Sequence, residues 1–383
     1  MITRAIAEKI KYLATKFPVV TLTGSRQCGK STLLKMEFPD YKYLSLEDPD
    51  IRTFAQEDPR GFLNNFSGRL ILDEVQYVPQ LFSYIQTKVD ETNLEGQYIL
   101  SGSQNFLLME EITQSLAGRT AVLKLGTLSY QELKNTAYRP QNLNEWLYNG
   151  GYPRIYDKDI APSDYFPSYV QTYLERDIRL LKNIGNMSKF TRFLKLCAAR
   201  IGQLLNVSSL ANECDISLPT ANTWLSLLES SFVIYLLKPY YQNNINKRLV
   251  KTPKLYFFDT GLVVSLLGLN DVQQIETHYL HGELFENMVI SEFIKKFQAM
   301  GKEPDINFWQ DSNKNEVDLL VKNGLDLDAY EIKSSATINP KFFKTLQLLQ
   351  KMENMNVSSA SVVYGGDADY ETTAGKFVSW RNL

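Results

Sequence analysis

The sequence predicts an α/β protein: a parallel sheet covered on both faces, then a helix–helix–helix–hairpin module, then a closing α+β domain. Three observations carry this reading. Short β-branched and leucine-rich runs alternate with helix-period segments between residues 17 and 126. Three helical patterns and two apolar runs follow between 187 and 260. Further strand-like runs, set between two helical stretches, occupy 281–366. Strands that alternate with helices pair in parallel through crossovers, and a parallel sheet needs apolar cover on both sides.

The elements follow in order. Residues 1–17 read as an amphipathic helix, because Glu8, Lys9 and Lys11 interrupt any apolar run that could serve as a signal peptide. Residues 17–24 form a short apolar strand ending at glycine, and 30–37 start a helix. Strands are expected at 41–47, 68–74, 96–103 and 119–126, with a helix at 81–91, which together make a first domain over 1–138. Residues 139–186 are a mostly helical lid or linker, broken by Pro and Gly at 149–156, with a long amphipathic pattern at 168–184. Residues 187–262 hold helices at 190–203, 207–215 and 218–231, then strands at 232–240 and 254–259. Ser208 or Ser209 is placed to cap the second helix, and Pro219 suits the first turn of the third. That order is the pattern of a winged helix. Residues 263–383 show a helix at 281–297, strands at 306–310, 315–322 and 329–335, a helix at 339–352 and a last strand at 359–366.

A chain of 383 residues exceeds one ordinary core, and 44% hydrophobic with 22% charged residues is a globular rather than a disordered composition. The net charge of −2 gives no global pull towards polyanions, but 171–260 holds 12 Lys/Arg against 6 Asp/Glu, a local balance of +6 against −8 elsewhere. Three cysteines without CxxC spacing exclude a disulfide framework or a cysteine zinc site, and no run reaches the ~18 apolar residues of a membrane span. A cytoplasmic location and no membrane partner are expected.

The chemistry starts at Gly24-Ser25-Arg26-Gln27-Cys28-Gly29-Lys30-Ser31, which fits GxxxxGK[ST] between a strand and a helix. Glycines permit close backbone approach, so successive N–H groups converge on phosphates at the positive end of the helix. These residues and Thr32 are the expected ATP-binding run, with Lys30 on the β- and γ-phosphates and Ser31 on Mg²⁺. The run 70–74 delivers Asp73 and Glu74 at the end of a buried strand, where open α/β sheets bind ligands. Asp73 suits Mg²⁺ and Glu74 the attacking water, against the plainer reading of Glu74 as a surface acid. Ser103 or Gln104 is placed to sense the γ-phosphate, or Ser103 caps a helix. Arg119 is either a source of transition-state charge, in cis or to a neighbour in a homo-oligomer, or a salt-bridged residue at a strand start. Cys28 reads as filler whose backbone matters.

A second grouping lies near the C-terminus. Glu331 and Lys333 share one face of a strand, Asp318 sits on the strand before, and Glu286 on a helix upstream. Two carboxylates on adjacent strands can share Mg²⁺ or Mn²⁺, and a nearby lysine can polarise water, which suits phosphodiester hydrolysis. A solvated strand edge is the alternative. In the winged-helix segment Lys247, Arg248, Lys251 and Lys254 lie on or near the wing, whereas the reading helix offers only Thr220, Asn222, Thr223, Ser226 and Glu229. DNA or RNA binding and intramolecular docking both fit.

Together these stretches resemble a family of bacterial and archaeal AAA+-like ATPases with a C-terminal half of unknown function. The resemblance runs through TGSRQCGKSTLL (23–34), LILDEVQYVPQLF (70–82), SGSQNFLL (101–108), SLAGRTAVLKLGTLSYQEL (115–133), GGYPR (150–154), YLERDIR (173–179), PKLYFFDTGL (253–262), GELFENMV (282–289) and the EVD…EIKSS pair (316–335). It implies a P-loop ATPase core, a winged helix and a domain similar to PD-(D/E)xK nucleases, a restriction-endonuclease-like fold. Lys30, Ser31, Asp73 and Glu74 match the ATP-site positions, and Glu286, Asp318, Glu331 and Lys333 the nuclease-like ones, with Val317 where that superfamily has proline. The implied output is nucleic-acid binding or processing, or a switch that binds DNA or a protein without cutting.

Overall fold

The computed structural model describes residues 2–103, 112, 114–174, 187–240, 251–352 and 355–383. Contacts divide the chain into two units. The first comprises Met1–Leu128, Ser230–Phe232 and Lys295–Glu303; the second comprises Ser129–Glu229, Val233–Ile294 and Pro304–Leu383.

The first unit is built on five strands: β1 (Val19–Gly24), β2 (Lys42–Ser45), β3 (Leu70–Asp73), β4 (Tyr98–Gly102) and β5 (Thr120–Leu125). All pair in parallel, in the order β2-β3-β4-β1-β5. Alternation along the strands splits the core in two. Val19, Leu70, Leu72, Tyr98 and Leu100 face one apolar layer, while Val20, Leu22, Ile71, Ile99, Leu123 and Leu125 face the other. This is the two-sided cover that the sequence pattern implies. Every expected strand is present, shortened at its ends. Two helices without an expectation, Pro49–Glu57 and Pro59–Asn65, fill the span between β2 and β3. Their signal is local: each begins with Asp-Pro, and the Asp48 and Asp58 carboxylates accept main-chain N–H bonds from the first turn.

In the second unit, helices Met187–Ala198, Val207–Glu213 and Leu218–Ser230 precede an antiparallel pair, β6 (Ile234–Leu237) and β7 (Lys254–Phe257). The cap expected from Ser208 or Ser209 falls to Asn206, whose Oδ1 accepts from the Ser209 N–H at 2.9 Å. A six-stranded mixed sheet follows: β8 (Ile306–Gln310), β9 (Glu316–Asn323), β10 (Asp326–Lys333), β11 (Val357–Tyr364), β12 (Tyr370–Thr372) and β13 (Gly375–Ser379), in the order β12-β13-β11-β10-β9-β8. The helix expected at 339–352 is a 3₁₀ turn at Pro340–Phe343 and a helix at Lys344–Gln350, and β12 and β13 extend the sheet past the last expected strand. Main-chain bonds also cross the boundary expected at 262/263. Tyr240 N–H donates to the Phe308 carbonyl at 2.7 Å and Phe308 N–H to that of Lys238 at 3.2 Å, so the chain after β6 lies against edge strand β8.

Two stretches of the resemblance meet at one buried carboxylate. Asp259 accepts from Gly151 N–H at 2.8 Å and from Gly261 N–H at 3.1 Å, tying 150–154 to the start of helix Thr260–Leu266. A Cβ at Gly150 would stand 2.1 Å from that carboxylate, so these glycines serve close packing.

Candidate functional site

β1 delivers the P-loop. A Cβ on Gly24 would stand 2.1 Å from the Leu125 carbonyl oxygen, so only glycine fits where β5 closes on the loop. Gln27 (φ 60°) and Gly29 (φ 98°) turn the chain before helix Lys30–Glu37. Arg4, which the sequence did not single out, holds the loop from outside, its guanidinium donating to the Cys28 carbonyl at 2.7 Å and the Gly126 carbonyl at 2.8 Å. The Cys28 side chain is fully buried, in keeping with a packing role. Arg26 lies 3.4 Å from the Tyr77 hydroxyl and 3.8 Å from Glu47. Lys30 is buried and donates to the carbonyls of Gly24 (3.0 Å) and Ser25 (2.9 Å). Thr32 is exposed on the helix.

The sheet order places β4 between β1 and β3, and the ends of these strands converge. Asp73 accepts hydrogen bonds from Ser31 Oγ at 2.6 Å and from the hydroxyls of Tyr43 and Ser101. Burial, then the bond to Asp73, pushes the Tyr43 phenol well above its ordinary value, so it stays a donor. Glu74 follows at φ 54° and turns its carboxylate elsewhere, accepting from Ser103 Oγ (3.1 Å), Ser103 N–H (3.3 Å) and the Gln76 amide. Ser31, Asp73, Glu74 and Ser103 are therefore neighbours. Gln104 lies outside the described residues. Tyr43, Ser101 and Gln76 were not among the expected site residues, although Ser101 stands near the carboxyl end of its strand, the edge where such sheets bind ligands.

Arg119 is the exception. Its guanidinium is bidentate to Asp90 (2.6 and 2.8 Å), and its carbonyl accepts from Val19 N–H, at the start of β1. The P-loop follows the other end of that strand, so Arg119 lies at the opposite edge of the sheet. A catalytic role within its own chain does not fit that place; the strand-start salt bridge does.

The C-terminal grouping is assembled in the second unit. Helix His281–Ala299 carries Glu286, β9 carries Glu316 and Asp318, and β10 carries Glu331 and Lys333. Lys333 Nζ stands 2.7 Å from Glu331 and 3.7 Å from Asp318, and Asp318 accepts the Ile332 N–H at 2.7 Å. Lys254, expected on or near the wing, is instead buried here and completes it. Lys254 of β7, with 5% of its side chain exposed, reaches Glu286 at 3.2 Å and pairs with Glu316, while the Tyr256 hydroxyl donates to Glu286. Burial, then the Asp318 charge, pushes Glu286 and Glu331 up to about 7. Burial opposes the Lys254 charge, but Glu286, Glu316 and Asp318 outweigh it and hold the ammonium above the ordinary lysine range. Among the described residues no three Asp, Glu, His or Cys side chains are gathered to hold a metal ion. The ammonium groups of Lys254 and Lys333 stand among the acids of the expected second metal site.

On helix Leu218–Ser230 the exposed face carries Pro219, Asn222, Ser226 and Glu229, without Lys or Arg. Lys247 and Arg248 lie outside the described residues. Lys238, Lys251 and Lys322 line an open groove of about 440 Å³ with Tyr240, Asp305 and Asn307. No helix among the described residues is long and apolar enough to cross a membrane.

The sheet order, the P-loop and the acid pair define a P-loop ATPase domain of the AAA type. Family models agree: residues 16–134 match the AAA domain, 140–273 a domain of unknown function (DUF8612) and 281–383 another (DUF4143). Over 371 residues the chain is 28% identical to an uncharacterized protein of Mycobacterium tuberculosis, covering 95% of this chain and 80% of the relative. An uncharacterized protein of Methanocaldococcus jannaschii is 22% identical over 345 residues, covering 82% and 74%. The structure of a Walker-type ATPase of Pyrococcus abyssi aligns over 68% of this chain and 94% of its own, with a TM-score of 0.46 and 15% identity.

Proposed function

We propose that the chain binds and hydrolyses ATP with Mg²⁺ at the P-loop, and that the second unit couples this to nucleic-acid binding. The convergence of strand ends on two acids carries the hydrolysis reading: Ser31, Tyr43 and Ser101 around Asp73, and Ser103 and Gln76 around Glu74. In this reading the N–H groups between Gly24 and Ser31 cradle the phosphates, and Lys30 exchanges the loop carbonyls for phosphate oxygens. The Ser31 hydroxyl and Asp73 carboxylate are hard oxygen donors, the set that suits Mg²⁺. Bound there, the ion neutralises phosphate charge. Glu74 orients the attacking water and takes its proton, while Ser103 fixes the carboxylate. The test is phosphate release from ATP with no acceptor added. Mg²⁺-dependent release that Lys30→Ala abolishes supports hydrolysis; release only after an added acceptor would make the chain a phosphotransferase instead.

The lysine-lined groove supports nucleic-acid binding, since Lys238 and Lys251, with Lys322 at 4.0 Å from the exposed Asp305, offer positive charge for a phosphate backbone in a chain of net charge −2. The buried Lys254–Glu286–Glu316 network favours a second reading: a nucleotide-dependent switch that binds DNA or a protein without cutting.

A further inference from the structure

We propose that the acidic cluster of the second unit is a cation site whose resident cation is the Lys254 ammonium, so that it takes no divalent metal and works as a fixed joint between β7 and helix His281–Ala299. The likeness to PD-(D/E)xK nucleases implies a metal between Asp318 and Glu331, with Lys333 beside it. The geometry disagrees at each of these acids. Asp318 Oδ2 is taken by the Ile332 N–H and faces Lys333, and Glu331 Oε1 pairs with Lys333 at 2.7 Å. Glu286 and Glu316, which could complete a coordination shell, both pair with Lys254. Glu331 Oε2 is buried without a hydrogen-bond partner, and the described bonds to Asp318 and Glu286 fall on Oδ2 and Oε1 alone, but every one of these acids already faces the Lys333 or Lys254 ammonium that a divalent ion would have to displace. A divalent ion entering the cluster would also stand beside two ammonium groups in a buried setting, where like charges repel strongly.

Lys254 is held in place by its backbone. The Asn287 side chain clamps the last residue of the strand, accepting from Phe257 N–H at 2.7 Å and donating to its carbonyl at 3.0 Å. Ser291 donates to the Phe258 carbonyl at 2.7 Å, and β6 pairs along the other edge of β7. The lysine therefore arrives as part of a strand already fixed to the helix that carries Glu286. Buried carboxylates persist only when paired, and Lys254 supplies the pairing that a metal would supply elsewhere.

The experiment counts bound Mn²⁺ by electron paramagnetic resonance in the nucleotide-free full chain. Wild type is expected to bind no Mn²⁺ that Asp318→Asn removes. Lys254→Ala is expected to gain a site at least about tenfold tighter than any in wild type, lost again when Asp318→Asn is added. A wild-type Mn²⁺ site that disappears in Asp318→Asn would overturn the proposal, as would a folded Lys254→Ala chain without the gain. Should that variant not fold, amine labelling of wild type read by mass spectrometry decides. Lys254 is expected to stay unlabelled with and without Mn²⁺ while Lys238 and Lys251 react, and Mn²⁺-induced labelling of Lys254 would overturn the proposal. Phosphate release from ATP depends on the first unit and is unaffected by either outcome.

Discussion

Asp73 and Glu74 are adjacent in sequence yet have different surroundings, because the backbone changes hand between them. Asp73 closes an extended strand, and Glu74 sits at φ 54°, ψ 45°. A left-handed non-glycine residue costs on the order of 1 kcal/mol or more and persists where the surroundings impose it. Here it separates two carboxylates, one towards Ser31, Tyr43 and Ser101, the other towards Ser103 and Gln76. Glu74→Gln keeps the shape and removes the base. It is expected to bind ATP as wild type does while kcat falls by roughly 10²–10³-fold, read by nucleotide binding and phosphate release. A rate within about twofold of wild type would make Glu74 structural. Ser103→Ala deletes the 3.1 Å bond and leaves the base, so a smaller loss in kcat, about tenfold, with unchanged ATP affinity is expected. Lys30, Ser31, Asp73 and Glu74 were legible in the sequence because contiguous motifs fix them. Tyr43 and Ser101 were not, because each reaches Asp73 only through the order of the strands. Arg119 shows the converse: its neighbours in sequence suggest the site, and the direction of β1 sends it to the far edge.

At the scale of elements, β1 and β5 approach so closely at Gly24 that a methyl group would overlap the Leu125 carbonyl. Gly24→Ala is expected to destabilise the first unit by about 2 kcal/mol or more and to abolish ATP binding, whereas an alanine at Gly118, where the space is open but φ is 76°, costs about 1 kcal/mol of backbone strain and leaves ATP binding intact. Strand periodicity made this sheet readable in the sequence. β12 and β13 were hidden because they are three and five residues long and five of those eight are Glu371, Thr372, Gly375, Lys376 and Ser379, which leave little apolar alternation around the buried Phe377. The second unit has an element-scale consequence in pH. Glu286 on its helix and Glu331 on β10 titrate near about 7 in the folded chain against 4.5 ordinarily. Between those values the folded state holds more protons than the unfolded state, so stability falls as pH rises and the loss is complete above about 7. Glu331→Gln removes one titrating group. The drop in melting temperature of the second unit from about pH 5 to about pH 8 is expected to shrink in that variant. An unchanged drop would show that Glu331 does not titrate in this window.

At the scale of the whole molecule, a net charge of −2 offers a polyanion no general attraction, so any nucleic-acid affinity must come from a local surface. The groove formed by Lys238, Lys251 and Lys322 is such a surface in the second unit. If its three lysines neutralise three phosphates, log K against log salt should fall with a slope of about −2.7 on duplex DNA and about −2.1 on single strands. Lys322→Ala should reduce the slope by about 0.9 on duplex DNA and weaken binding equally across sequences, since phosphate contacts carry no base readout. A salt-independent affinity, or a slope untouched by the substitution, would remove the groove from consideration and turn attention to the exposed face of helix Leu218–Ser230, which carries no Lys or Arg, as a protein-docking surface. The same titration, run with ATP and then ADP under Glu74→Gln conditions that prevent turnover, tests coupling between the units. Coupling is reciprocal: if ATP tightens DNA binding by a given factor, DNA must tighten ATP binding by that factor. Measuring both directions therefore distinguishes a switch from two functions that share a chain. Equal DNA affinity in the two nucleotide states, matched by ATP affinity indifferent to DNA, would leave the P-loop and the lysine groove energetically separate.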